Sequence, residues 1–205
     1  MRHILLALTL TVALASCQDA EPDRIAQPVK RVETGPRIWY PVGQYPALAL
    51  PDGETRQVKS LLNVRQSMQF GDYVWNEQHV PATGQTWVRV DLARQLLSVF
   101  RDGHEIGSAV ILYGTDGKPT PSGVFPILEK QQEHRSTLYD AEMPYMLRLT
   151  GDGVAVHASN VRRGSATHGC IGVPRSFAAL LFAAVRRGDI VAIMPPSAGP
   201  LPKHS

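Results

Sequence analysis

Between Gln85 and Met194 the chain is a succession of short apolar runs separated by glycine, proline and aspartate, which constrains it to fold mainly as β-structure. Trp87-Val88-Arg89-Val90-Asp91-Leu92 alternates with a period of two, the pattern of a half-buried strand. Gln95 to Phe100 is a second strand. Asp102-Gly103 then supplies a tight turn into a third, Glu105 to Leu112, because such turns need residues that tolerate positive φ. Val124 to Leu128 continues the series after the loop Lys118-Pro119-Thr120-Pro121-Ser122-Gly123. Tyr145 to Leu149 pairs across Gly151-Asp152-Gly153 with Val154 to His157, and Ile190 to Met194 is the last strand. The polar stretch Glu129 to Asp140 has no usable period and reads as a surface loop or lid.

Only one segment has helical periodicity. Phe177, Leu180, Leu181, Ala184 and Val185 form an apolar stripe, with Pro174 at its start. Arg186 and Arg187 are expected in the last turn and Gly188 as the left-handed cap. The expected architecture is a mostly antiparallel β domain over 85–194 with one principal helix packed on it.

The ends of the chain read differently. Residues 1–17 have the make-up of a targeting segment: Arg2 and His3, an apolar core from Ile4 to Leu14, then Leu14-Ala15-Ser16-Cys17. That core is shorter than the roughly 20 residues a membrane span needs. The last four residues resemble a bacterial lipobox, in which Cys17 is lipidated and becomes the first residue. An ordinary secretion signal cut near Ser16 is the alternative. Gln18 in place of Asp points the anchored protein to the outer membrane, on its periplasmic side. Residues 18–84 divide into a Pro- and Gly-rich tether to about 58 and an arm, Leu61 to Trp75, with enough large apolar side chains to lie on the main domain. Residues 195–205 are expected to be a disordered tail.

With Cys17 consumed by lipid, Cys170 has no intramolecular partner, so no disulfide stabilises the fold. A net charge of +3 with scattered basic residues gives no nucleic-acid footprint and no polybasic membrane patch. An unpaired thiol in an oxidising compartment is a liability unless it is used. Cys170 stands in Thr167-His168-Gly169-Cys170, with His157 ending the preceding hairpin. A thiol attacks only as thiolate, and an imidazole that takes its proton makes it a nucleophile. Gly169 permits a tight turn in which successive amide N–H groups converge, as a developing oxyanion requires. The pattern points to acyl transfer; the bland alternative is a small buried side chain.

These residues carry a resemblance. Ala155-Val156-His157 followed by Ala166-Thr167-His168-Gly169-Cys170-Ile171 resembles the L,D-transpeptidase (YkuD) family, whose signature is a His, a spacer of variable length, then Ser/Thr-His-Gly-Cys. Val90-Asp91-Leu92 with Gln95 to Phe100 is similar to that domain's opening hairpin. Thr120-Pro121-Ser122-Gly123-Val124-Phe125 resembles its Thr-Pro-x-Gly-x-Phe loop, and Met143-Pro144-Tyr145 the segment before its catalytic His. The resemblance implies a β-sandwich-type domain with the helix following the Cys loop, and attack on peptidoglycan stem peptides without a cofactor or a metal. It implies Cys170 as nucleophile, His157 as base held by the carbonyl of Ala158, and His168 as a residue shaping the pocket. Backbone N–H groups of His168, Gly169 and Cys170 would form the oxyanion hole, and Tyr145 would line the donor site. Gly172 departs from the family, which usually carries Arg there; Arg162, Arg163 and Arg175 are the candidates to replace its charge.

Three other readings stay open from the sequence. The same thioester serves a carboxypeptidase or endopeptidase if water is the acceptor. A non-catalytic peptidoglycan-binding lipoprotein accommodates Gly172. A zinc site built on His157, His168 and Cys170 uses suitable ligand types but lacks a fourth ligand nearby. His79, His104, His134 and His204 read as surface residues.

Overall fold

The computed structural model describes residues 32–114, 117–136 and 140–196. Cys17, the segment 18–31 and the tail from 197 lie outside the described residues, as do 115–116 and 137–139. The three central strands follow the expected hairpins: β7 (Thr86–Asp91), β8 (Leu96–Arg101) and β9 (His104–Val110) pair antiparallel in sequence order. Asp102 (φ 48) and Gly103 (φ 80) make the turn between β8 and β9, both in the left-handed region the tightest hairpins require. β15 (Ile190–Met194) joins the other edge of β7 in parallel, and β10 (Gly123–Pro126) pairs antiparallel with β15.

β7 differs from the expected half-buried strand in being buried on both faces. Its inner residues Val88 and Val90 enter the main core. Its outer residue Trp87 stacks on Phe100, with ring centroids 4.5 Å apart, under a cover made by Tyr40, Leu48, Leu50, Val58 and Leu61. The segment expected as a tether is, from residue 32, this covering layer. Strands β1 (Val32–Thr34), β2 (Arg37–Trp39) and β5 (Ser60–Leu62) extend the main sheet beyond β9, and the hairpin of β3 (Ala47–Ala49) with β4 (Thr55–Gln57) stands apart from it. β6 (Tyr73–Trp75) pairs antiparallel with β9, so the arm is stitched into the sheet by backbone hydrogen bonds. Arg89 and Asp91, the polar positions of β7, form an ion pair of 2.9 Å at 3% and 2% exposure, because the cover leaves them no water.

A second sheet of four strands carries the functional residues. β11 (Glu129–Gln131) opens the stretch expected as a loop, and it pairs with β12 (Met146–Arg148), which pairs with β13 (Ala155–Ala158). β14 (Ile171–Val173) then lies parallel to β13. Leu147, Val156, Ile171 and Val173 point from this sheet into the core shared with Val88, Val99 and Ile106 of the large sheet. Among the described residues the result is mainly β with a single helix, as the alternating pattern implies.

The helix α1 (Arg175–Ala184) is shorter than its apolar stripe suggested. Phe177, Ala178 and Leu181 are buried, while Leu180 is 36% exposed. Val185 is already extended, so Arg186 and Arg187 lie beyond the helix and Gly188 serves the following turn. The cation expected in the last turn comes instead from β11: Lys130 donates to the carbonyls of Phe182 (2.6 Å) and Val185 (2.5 Å), meeting the acceptors that a helix C-terminus leaves open.

Candidate active site

Register places the site. Glu129, Arg148 and Ala155 stand in one row across the small sheet, and Gln131, Met146, His157 and Gly172 stand in the next. Because side chains alternate, and Val156 and Ile171 face the core, these two rows lie on the opposite face. Cys170, the residue before β14, falls beside Ala155 at the end of the first row. His157 and Cys170 are therefore diagonal neighbours, a relation that places β-carbons roughly 7 Å apart.

The parallel pairing of β13 with β14 dictates a crossover between them, and parallel strands need about a dozen residues for it. The chain from Ser159 to Cys170 makes that crossover as a surface loop. β14 separates Cys170 from α1, so the thiol stands a strand's length from the helix end, beyond the turn over which a helix dipole acts. Its chemistry is set by the sheet.

The Cys loop is fixed by hydrogen bonds to the strand end at 112–114. Leu112 and Gly172 exchange both backbone bonds at 2.9 Å, and the N–H of Thr167 donates to Tyr113. The Thr120 hydroxyl, 6% exposed, donates to the carbonyl of Gly169 (2.9 Å) and accepts from the N–H of Gly114 (2.9 Å). That fastening is the physical content of the Thr-Pro-x-Gly motif. Gly169 has φ +99, which its lack of a β-carbon allows, and the Thr167 hydroxyl donates to the carbonyl of Cys170.

Cys170 is half-buried against Met143, Met146 and Ala155. Burial pushes its thiol pKa up; a hydrogen bond from the Ala155 backbone and the charge of Lys118 act against that rise, and Asp152 adds to it. The thiol lies 3.7 Å from the carbonyl of Gly153. His157 moves the other way: burial lowers its pKa, the bond to Ala158 opposes this, and the neighbouring His134 adds to it. Its Nδ1 donates to the carbonyl of Ala158 (2.8 Å), which leaves Nε2 as the lone-pair nitrogen of the neutral ring. Resting Cys170 and His157 are thus a neutral thiol and a neutral base.

Each member of this pair lines a cavity of its own. One, of about 190 Å³, is lined by Cys170, His168, His134, Lys118, Arg148 and Asp152. The other, of about 650 Å³, is lined by His157, Ala158, Ser159, Arg175, Glu142 and, from the arm, Gly71. His168 is exposed at the rim of the first. Tyr145 lines neither; its ring packs on Phe182, with centroids 5.8 Å apart, and under the guanidinium of Arg175. Arg162 and Arg163 are both exposed on the crossover loop, and Arg163 lines a cavity between the arm and the outer face of the large sheet. Of the three arginines considered for the missing charge, Arg175 alone lines one of these two cavities, the one at His157. Lys118 and Arg148, which no motif flagged, stand closer to the thiol. Among the described residues no group of three or more His, Cys, Asp or Glu side chains is placed to hold a metal.

Gly172 has a steric cause. A β-carbon there would come within 2.7 Å of the Ser159 β-carbon and 3.1 Å of its hydroxyl. Any larger residue must displace the first residue of the crossover loop.

The fold is similar to that of solved L,D-transpeptidases. A crystal structure from Stackebrandtia nassauensis shares 26% identity with a TM-score of 0.51, over 58% of this chain and 60% of that one. An enzyme from Mycobacterium smegmatis has the same fold at 23% identity and a TM-score of 0.51, over 54% of this chain and 59% of that one. A cysteine-to-serine mutant from Enterococcus faecium shares 26% identity with a TM-score of 0.50, over 56% and 52%. The chain spans 52% to 60% of the length of these relatives. A search of curated proteins gives no match. The sequence profile of the L,D-transpeptidase catalytic domain matches residues 85–193, just over half the chain and the part that holds both sheets' central strands, the Cys loop and the helix. The chain therefore belongs to the YkuD family of L,D-transpeptidase catalytic domains.

Proposed function

We propose that this protein is a peptidoglycan L,D-transpeptidase that forms a thioester between Cys170 and a tetrapeptide stem and passes the acyl group to an amine. The observation that carries this reading is the diagonal placement of Cys170 and His157 on one sheet face, with the imidazole held by Ala158 in the tautomer of a base. Nε2 of His157 takes the thiol proton as Sγ attacks the carbonyl carbon between the third and fourth stem residues. The oxyanion meets the backbone N–H groups of His168, Gly169 and Cys170. The C–N bond then breaks, the imidazolium returns its proton to the leaving amine, and the thioester remains. An acceptor amine displaces sulfur, giving a 3–3 cross-link or attachment to a protein.

Lys118 and Arg148 supply the carboxylate-binding charge that Gly172 lacks, on the thiol's side of the site. The protein is held at the periplasmic face of the outer membrane by lipid on Cys17; the Cys17→Ala protein would then move from the membrane to the soluble fraction.

Incubation with purified sacculi followed by muropeptide analysis tests the reaction. New 3–3 dimers are the expected product. Shortened stems without dimers would identify water as the acceptor instead. A carbapenem should add one adduct by mass to the wild type and none to Cys170→Ala; an unmodified wild type would sink the nucleophile assignment.

A further inference from the structure

We propose that His134 is a second proton acceptor of this site, serving the amine that attacks the Cys170 thioester; this rests on the acyl-transfer reading above. His134 lies in the polar stretch after β11, outside every motif. The structure continues β11 and β12 as one antiparallel hairpin past Gln131, held where Met143 donates its N–H to the carbonyl of His134 (2.8 Å) and Tyr145 to that of Gln132 (2.8 Å). His134 lines the same small cavity as Cys170, and it also lines a cavity of about 460 Å³ with Glu142, Pro144 and Arg175, which border the cavity at His157 as well, so it stands between the thiol's side and the imidazole's side.

The orientation of this imidazole is set by a chain of polar groups. Arg148 holds Glu129 at 2.7 Å. Glu129 accepts from the amide nitrogen of Gln131, so the amide oxygen of Gln131 is the atom that faces His134 Nδ1, at 2.7 Å. An oxygen there can only accept, so Nδ1 carries the hydrogen and Nε2 the lone pair. This repeats, with a side-chain carbonyl, what Ala158 does for His157. The site has two imidazoles fixed as bases, and the thiol can use only one. His134 also lies near enough to His157 for its charge to oppose protonation of that ring.

In the second half-reaction the amine lone pair forms the new C–N bond while the carbonyl π pair moves to oxygen. The attacking nitrogen, now positive, gives its extra proton to Nε2 of His134. The oxyanion collapses, the C–S bond breaks, and sulfur leaves as thiolate. His134 returns the proton to that sulfur through the cavity, so thioester and amine become amide and thiol.

His134→Asn is the informative variant, because the Asn amide nitrogen keeps the donor to Gln131 and removes Nε2. Acylation by a carbapenem should stay within about twofold of wild type, while transfer to an amine from the preformed thioester falls on the order of 100-fold. Added imidazole should restore much of the transfer rate in His134→Ala, an effect that a merely structural role would not produce. Equal transfer rates in wild type and His134→Asn, or equal losses in acylation and transfer, would overturn the assignment. A wild type that fails to acylate overturns the acyl-transfer reading itself, and this inference with it.

Discussion

The cavity at Cys170 and the cavity at His157 differ in wall and in charge. The thiol side is small, floored by Met146 and Ala155, and rimmed by Lys118, Arg148 and His168. Its walls are strands of one sheet and the loops tied to them. The imidazole side is more than three times larger and is assembled from remote parts of the chain: the crossover loop, the helix start at Arg175 and the arm at Gly71. The difference teaches a division of labour. A rigid, cationic pocket suits the one acyl donor, whose carbonyl must be placed on the sulfur, and a wider composite cleft suits an acceptor that need only present an amine.

The largest expected effect falls on the imidazole of the larger cavity. His157→Gln should lower carbapenem acylation by about 10³-fold with unchanged folding, since it removes the base from a thiol that burial keeps protonated. The pH profile of acylation sharpens the same point. Burial lowers the His157 pKa and raises that of Cys170, so the neutral pair persists beyond both ordinary values. The rate should hold level between roughly pH 6.5 and 8.5, with the acid limb below and the alkaline limb above that window. Limbs falling inside it would mean a preformed thiolate–imidazolium pair.

Thr120→Val tests the fastening of the thiol side alone. It strips partners from the buried Gly114 N–H and Gly169 carbonyl, and should cost about 1–3 kcal/mol of stability by denaturant unfolding. Gly172→Ala presses on the boundary, because its β-carbon would meet Ser159. A loss of roughly 1–2 kcal/mol is expected. The smallest effects separate donor from acceptor. Arg148→Gln should raise KM for a stem-peptide donor about tenfold and leave the acceptor KM alone, the size of one lost charged hydrogen bond. Arg175→Gln should do the reverse; equal effects of the two on both substrates would break the assignment of the cavities.

The sequence made the hairpins around 86–110 legible because each strand is six or seven residues long and its turn demands particular residues. The helix was placed from its stripe, but its end was misjudged: Val185 keeps the apolar phase while its backbone is already extended, and Lys130, far along the chain, supplies the terminal charge. Strands of three residues such as β2 and β14 show barely one period, so neither the N-terminal cover over Trp87 nor the strand between Cys170 and α1 could be read. The motif located Cys170 and His157, whose relation is local to one sheet. His134, Lys118 and Arg148 reach the thiol only through strand register and long-range folding, for which no periodicity stands as a sign.

The crossover loop has a use beyond presenting the thiol. Its ends are clamped, at Ser159 by the Val173 carbonyl and at Thr167 by Tyr113. Residues 162–166 between them are exposed. Length added there should barely move the clamped ends, and doubling a flexible loop costs only about 0.6 kcal/mol. The segment is therefore a natural insertion port, where an epitope or a fluorophore would ride within a few residues of Cys170 and report on its occupancy without disturbing its aim.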